Sequence, residues 1–387
     1  MNFNFTEDQQ ALQDSARRYL DKDYRFEQRS QRVAQDGGFA RQTWQAFADM
    51  GWLAVSIPEQ YGGLGFSPVE TAIVAEQIGR GLVLEPVTLC GLLPISIVKY
   101  CATESQNSTL LSAIGTGKIL VAVAHSEREA RGEVATVAAT AHRLDDGGYS
   151  LNGRKTVVVG APVADRLIVV ARTSGGARNP AGISLFLIDR AVAGLRLDGV
   201  RLLDGTPAAD VIMDDVRVGA DSLLGNEGLA YSGLQQAVDE CIVSLCAESV
   251  GGMEDVIQLC ADYLKSRKQF GVPIGSFQVL QHRMADLAIE LQQARASLHR
   301  GLATLGDPSI ADRSAVISGV KAQVMRSAHF VTTQGIQLHG GYGLTEEYRV
   351  GHHYRRLLLA DVWFGNMEYH LNRYAALIQR LAAAEFC

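Results

Sequence analysis

The sequence predicts a mostly helical α+β chain in three consecutive domains: helical over residues 1–118, β over 119–228 and helical again over 229–387. Three observations predict it. Apolar residues recur at three-and-four spacing through the C-terminal third, the period of helices with one buried stripe. Between about 119 and 228 that period gives way to short β-rich runs split by Gly- and Asp-rich turn signals. No strand–helix alternation appears, which disfavours a Rossmann-type sheet.

In the first part, Asp14 to Tyr24 and Gln42 to Met50 are helix candidates. A Gly-rich loop follows, Ile57-Pro58-Glu59-Gln60-Tyr61-Gly62-Gly63-Leu64-Gly65-Phe66-Ser67. Ser67 with Glu70 forms a capping box, and Pro68 suits the first position of the next helix, which runs to about Gly79. The β runs are Ile119 to Ala124, Ala135 to Thr140, Tyr149 to Val159, Leu167 to Ala171, Ile183 to Ile188, Arg196 to Val200 and Asp210 to Val218. Turn signals at Asp145-Asp146-Gly147-Gly148, Asn152-Gly153 and Gly175-Gly176 separate them, so a sandwich or barrel is expected.

The C-terminal part is organised around Tyr263 to Leu287. Upstream, Leu234, Val238, Cys241, Leu245, Met253, Val256, Cys260 and Leu264 form one stripe; downstream, Leu280, Met284, Leu287, Leu291, Ala294, Leu298, Leu302 and Leu305 form another. Between them Gly271 and Gly275 permit positive φ and Pro273 stops the helix. The result is a helical hairpin whose tip carries Lys265, Arg267, Lys268, Gln269, Gln278, Gln281 and His282. These donors read either as a solvated, positively charged helix end or as an anion site with Arg267 forked onto a phosphate. A third long helix, about Ala311 to Leu338, is rich in small residues (Ala315, Ser318, Gly319, Ala322, Ala328), which suits close packing in a bundle. Gly340 and Gly341 end it, as an ordinary cap and turn or as an exposed amide nest.

These motifs carry a resemblance. Arg267, Phe270, Gly271, Pro273, Ile274, Phe277, Gln278, Gln281, His282, Ala285 and Asp286 stand at the spacing found in the acyl-CoA dehydrogenase family. Pro58-Glu59-Gln60-Tyr61-Gly62-Gly63-Leu64-Gly65 and Gln337-Leu338-His339-Gly340-Gly341-Tyr342-Gly343 also resemble that family, and the likeness covers essentially the whole chain. It implies an N-terminal helical domain, a middle β-barrel or sandwich and a C-terminal four-helix bundle that assembles into tetramers. It further implies FAD as cofactor, with Arg267, Phe270, Gln278, Gln337, Gly340 and Gly341 contacting the FAD of an adjacent subunit. The implied substrate is an acyl-CoA thioester, oxidised between its α and β carbons, with an electron-transfer flavoprotein as partner.

The chain also departs from the family pattern. Most members place a catalytic Glu in a Tyr-Glu-Gly-Thr loop; counted from Arg355, this chain has Trp363-Phe364-Gly365-Asn366, and a phenyl ring takes no proton. Other members carry the base twenty-six residues before the signature arginine, where Cys241 stands here; a thiol of ordinary pKa, about 8.5, is mostly protonated. Glu240 is adjacent but about 100° around the helix, and serves as base only if the register shifts. The first flavin strand, Thr-Glu-Pro-x-Ala-Gly-Ser-Asp in the family, reads Ser126-Glu127-Arg128-Glu129-Ala130-Arg131-Gly132-Glu133; Ser126 keeps a hydroxyl for the flavin. Val157-Val158-Val159 replaces the Trp-Ile-Thr or Trp-Ile-Ser that backs the ring and bonds near N5.

Composition bounds the rest. With 387 residues, 47% hydrophobic and 20% charged, the chain has an ordinary globular make-up. A net charge of −6 with no basic block argues against a nucleic-acid partner. Cys90, Cys101, Cys241, Cys246, Cys260 and Cys387 are scattered without a metal or disulfide pattern, and no signal peptide or membrane span is read, so a cytoplasmic, reducing location is expected. The inventory is lopsided: the groups lent to a neighbour's FAD are intact, those for an own flavin and base mostly replaced. That resembles the small, base-lacking subunit of heteromeric acyl-CoA dehydrogenases of the pimeloyl-CoA or steroid-side-chain type. A self-sufficient homotetramer using Glu240, a flavin-free structural subunit, and a flavin oxidase or monooxygenase are the rival readings.

Overall fold

The structure is a computed structural model that describes residues 5–35, 38–307, 309–310 and 312–385. The chain runs through helices α1 (Glu7–Asp23), α2 (Arg29–Gln35), α3 (Arg41–Asp49), α4 (Pro68–Arg80), α5 (Leu93–Cys101) and α6 (Glu104–Gly115). Strands β1 (Val121–Ala124), β2 (Thr140–Arg143), β3 (Tyr149–Val159), β4 (Arg166–Arg172), β5 (Ile183–Asp189), β6 (Leu195–Arg201), β7 (Pro207–Val218) and β8 (Leu223–Leu224) follow. Then come α7 (Tyr231–Ser266), the short β9 (Lys268–Gln269) and β10 (Val272–Pro273), and α8 (Gln278–Gly306), α9 (Arg313–His339), α10 (Arg349–Val362) and α11 (Met367–Glu385). Helix, sheet, helix is the predicted class.

Contacts group the chain into two compact units, one of residues 1–29, 72–83 and 242–387, the other of 30–71 and 84–241. In the second unit the sheet order is β6-β7-β3-β2-β4-β5-β8, with β1 added parallel to β4. The strands are antiparallel except for the β1–β4 and β2–β4 pairs. β4 and β5 carry the core: every residue from Leu167 to Ala171 is fully buried, as are Ile183, Leu185 and Phe186. Such continuous apolar runs are what a strand covered on both faces requires.

The run Ala135 to Thr140 is a correction, since the strand begins only at Thr140. The amides of Ala138 and Ala139 are taken by the Glu127 carboxylate at 2.7 and 3.0 Å, and that of Val137 by Ala177 O at 2.9 Å, so no ladder forms there. α1 likewise begins earlier than the expected Asp14, because Thr6 and Gln9 close a capping box. The cap before α4 is reciprocal as expected: Ser67 N–H donates to the Glu70 carboxylate at 2.9 Å and Val69 N–H to Ser67 Oγ at 3.1 Å.

In the helical unit, α4 and α7 cross at backbone contact. A Cβ at Gly79 would meet Glu248 O at 1.8 Å, and one at Gly251 would meet Glu76 O at 1.8 Å. The small-residue face of α9 behaves as expected: Ala315, Ser318, Ala322 and Ala328 are buried, and Gly319 admits the Tyr374 ring, which a Cβ would approach to 2.9 Å. Cys90, Cys241, Cys246 and Cys260 are buried and Cys101 is half-buried, none of the five in a disulfide; Cys387 lies outside the described residues. No helix among the described residues is long and apolar enough to cross a membrane.

Candidate functional site

The donor cluster sits on a tighter turn than a helical hairpin needs. β9 and β10 pair antiparallel, Val272 with Gln269 and Pro273 with Lys268, leaving Phe270 and Gly271 as a two-residue loop. Their φ values, 51° and 81°, are both left-handed, as a type I′ turn demands. Gly271 adopts this freely, whereas Phe270 is strained and its ring is 91% exposed. The expectation for Gly275 is corrected: its φ is not positive, and it is needed because a Cβ there would meet Leu264 O at 3.0 Å. Arg267 O accepts from Ile274 N–H at 2.8 Å, closing the loop, while the guanidinium of Arg267 and the side chain of Gln278 stay exposed.

The second motif ends α9. Gly340 stops the helix at φ 59°, ψ −142°, its amide bonded to Gln337 O. Gln337, Gly340 and Gly341 are exposed, and a Cβ on either glycine would meet nothing within 4 Å. An aromatic cluster brings this turn to the hairpin. Tyr263, four residues before Arg267, lies 4.6 Å from the His339 ring and 6.2 Å from that of Tyr342; Tyr348 lies 4.8 and 4.5 Å from the same two. His339 is held on both nitrogens, Nδ1 to Gly335 O at 2.7 Å and Nε2 to the Tyr348 hydroxyl at 3.2 Å, and burial lowers its pKa. Arg283 of α8 donates to Gln334 of α9 at 3.0 Å beside it. Arg267, Phe270, Gln278, Gln337, Gly340 and Gly341 therefore share one end of the helical unit.

In the sheet unit, β3 shifts register between Lys155 and Val158, and Val157 occupies the bulge at φ 51°. Its amide donates to Asp210 at 2.8 Å, and Asp210 is held by Arg154 at 2.5 Å. Val157 is 38% exposed, whereas Val158 and Val159 are buried; the Cys90 thiol donates to Val159 O at 3.3 Å. Beside the bulge, the fully buried Lys155 donates to Glu127 at 2.6 Å. Burial alone would raise the Glu127 pKa, but Lys155 and the two loop amides outweigh it and hold the carboxyl below its ordinary range. Ser126 O accepts from Thr156 N–H at 2.8 Å.

Glu240 is tied down. Its carboxylate accepts from Ser96 Oγ at 2.5 Å and from the Tyr100 hydroxyl, with the Lys99 ammonium at 3.6 Å, all on α5. Cys241 is 2% exposed.

The Trp363–Asn366 segment joins α10 to α11. Phe364 has φ 57° and Gly365 φ 103°, and the segment's backbone is clasped from below. Lys321 Nζ donates to Trp363 O and, at 2.8 Å, to Gly365 O; His370 Nε2 lies 3.0 Å from Phe364 O. Reading by motif missed Lys321 and His370. The signal was present: a lysine between Val320 and Ala322, on the apolar face of α9.

Three family models match the chain: the acyl-CoA dehydrogenase N-terminal domain over residues 6–118, the middle domain over 122–216 and the C-terminal domain over 234–378. The chain belongs to the acyl-CoA dehydrogenase family. Among its relatives in that family is acryloyl-CoA reductase (NADH) of Anaerotignum propionicum, 28% identical over 379 residues, 96% of this chain and 94% of that one. The CarC subunit of the caffeyl-CoA reductase–Etf complex of Acetobacterium woodii is 28% identical over 378 residues, 94% of this chain and 96% of the relative. Among solved structures, the Tcur3481-Tcur3483 steroid ACAD superposes with a TM-score of 0.86 at 26% identity, covering 97% of this chain and 99% of that one. An acyl-CoA dehydrogenase chain thus presents two sets of groups here: an exposed donor set on the helical unit, and a sheet bulge with valine at its most exposed point.

Proposed function

We propose that this acyl-CoA dehydrogenase chain is one subunit of a heteromeric, FAD-dependent enzyme and completes the flavin site of its partner. The reaction is α,β-dehydrogenation of an acyl-CoA thioester. Arg267, Phe270, Gln278, Gln337, Gly340 and Gly341 would contact FAD held by the partner, which would supply hydride acceptance at the β carbon and a route for electrons to an electron-transfer flavoprotein. The α proton goes to a carboxylate of the partner, since Phe364 and the buried Cys241 stand at this chain's two base positions. Glu240 is read as structural, because hydroxyls of Ser96 and Tyr100 and the ammonium of Lys99 engage its carboxylate.

The observation that carries this reading is the Gly340-Gly341 turn. At Gly341 φ is not positive and a Cβ would touch nothing, so neither backbone conformation nor packing within the chain calls for glycine there. A bare, exposed backbone leaves room for a ligand phosphate held by another molecule. Arg267 supplies a fork for the same anion, and Gln278 and Gln337 supply amides. The Phe270 ring, edge-on to Phe277 at 6.2 Å and otherwise 91% exposed, offers an apolar contact to another molecule. The own-chain platform fits a flavin less well, since Val157–Val159 offers neither an aromatic wall nor a hydroxyl. The names of the relatives agree with the reading: one is a subunit of a complex with Etf, and one structure pairs two gene products.

The test is Arg267→Ala in the co-purified complex. Losing a charge-assisted contact of about 1.5–3 kcal/mol lowers FAD affinity roughly 10- to 100-fold. The flavin absorbance per complex falls accordingly after gel filtration. Unchanged flavin content contradicts the reading.

A further inference from the structure

Glu76 of α4 is 5% exposed, and its carboxylate oxygen Oε2 is buried with no hydrogen-bond partner. A cation stands close without bonding to it: Arg295 Nη1, from α8, lies 3.7 Å away. The guanidinium is engaged elsewhere, its Nη2 donating to Glu254 of α7 at 2.5 Å. Two carboxylates thus share one guanidinium unequally. It is bonded to the half-exposed Glu254 and only near the buried Glu76.

The parts differ in their freedom to move. The root of Glu76 is fixed by the α4–α7 crossing, where a Cβ on Gly251 would lie 1.8 Å from Glu76 O and 3.0 Å from Glu76 Cα. The Arg295 side chain is 28% exposed. It reaches charge-assisted hydrogen-bond length to Glu76, about 2.8 Å, by roughly 1 Å of travel. Glu254, its side chain 39% exposed, turns to water at little cost when released.

The proton on Glu76 decides between these arrangements. A neutral carboxyl makes no charge demand on Arg295, whereas a buried carboxylate without a donor is costly and draws the nearby guanidinium in. Burial, with the Glu254 charge adding to it and the Arg295 charge opposing it, raises the Glu76 pKa to about 7. The other charged groups on these helices are engaged elsewhere. Arg80, one turn along α4, donates to Asp21 at 2.7 Å and to Gln77 at 3.0 Å. On α7, Glu248 pairs with Arg356, and Asp255 with His353 and Arg349. His299, one turn along α8 from Arg295, is held below its ordinary range by burial and then by the Arg295 charge.

We propose that Arg295 is a proton-controlled latch. With Glu76 neutral it ties α8 to α7 through Glu254; when Glu76 loses its proton it closes on Glu76 and ties α8 to α4 instead. The device is independent of which subunit holds the flavin.

Double-mutant cycles in urea unfolding of the intact chain, at pH 6 and pH 8.5, test the exchange of partners, with Arg295→Met, Glu76→Gln and Glu254→Gln as the component variants. At pH 6 the Arg295–Glu254 coupling is worth about threefold or more in the folding constant, and the Arg295–Glu76 coupling less than about twofold. At pH 8.5 the order reverses, with Arg295–Glu76 worth about tenfold. The same ranking of the two couplings at both pH values overturns the proposal. The partly exposed Glu254→Gln provides a second reading that does not depend on the buried variants folding. In wild type the urea midpoint falls as pH rises towards about 7, since the folded state holds the Glu76 proton more tightly than the unfolded chain. In Glu254→Gln the repulsion is gone and Arg295 is released to Glu76, so the fall ends about one pH unit lower. A fall that ends at the same pH in both proteins, or no fall in wild type, overturns the latch.

Discussion

Val157 is a β-branched residue held at φ 51° in the bulge of β3, with its amide given to Asp210. That conformation costs of order 1–2 kcal/mol for an L residue. Val157→Gly should therefore stabilise the protein by about 1 kcal/mol in chemical denaturation, although glycine inside a strand ordinarily costs about that much. Glu76 supplies a second test. It is buried beside Arg295 at 3.7 Å, and burial raises its pKa to about 7 despite that charge, with Glu254 adding to the rise. The folded state then binds the proton more tightly than the unfolded chain. The stabilisation is fully present below pH 4.5 and is lost as pH rises to about 7. Glu76→Gln should flatten this dependence and make the protein more stable than wild type at pH 8, by about 1–3 kcal/mol in thermal or urea unfolding. Neither property is legible in the sequence. A lone Val or Glu in a strand or helix says nothing of its φ or its burial, which long-range packing sets. Arg267 is the opposite case, recognisable because ten further residues stand at fixed distances from it.

At the scale of elements, the α4–α7 crossing makes a sharp prediction. Alanine is normally worth about 1 kcal/mol over glycine inside a helix. At Gly79 and Gly251 the added methyl would run into backbone oxygens at 1.8 Å, so the helices must part. Gly79→Ala and Gly251→Ala should each lower stability by about 1–3 kcal/mol, read as a fall in the urea midpoint at unchanged m-value. The helical stripes of α7 and α8 and the strands β3 to β5 were legible because their periods are local. The stretch before β2 was not. Its alternation looks like a strand, but the Glu127 carboxylate, fixed by Lys155 from β3, takes its amides first. The β9–β10 hairpin was missed because a Phe-Gly loop advertises the turn and not the four residues that pair around it.

For the whole molecule, the class and the three-part order were legible, since a switch from helical to β period and back is a bulk property. The proposed division of the chain between an intact donor set and an altered platform comes from comparison with the family's motif. What geometry adds is that the donor set is gathered at one end of the helical unit by Tyr263, His339, Tyr342 and Tyr348 and left exposed. The central claim is that these groups serve a flavin held chiefly by another subunit. The visible absorption spectrum tests it most directly, taken on the chain purified alone and on the complex formed with its co-expressed partner. The account predicts a colourless chain alone and a flavin band in the complex that acyl-CoA bleaches. A chain that is yellow by itself, with one FAD per subunit that acyl-CoA reduces, would contradict it.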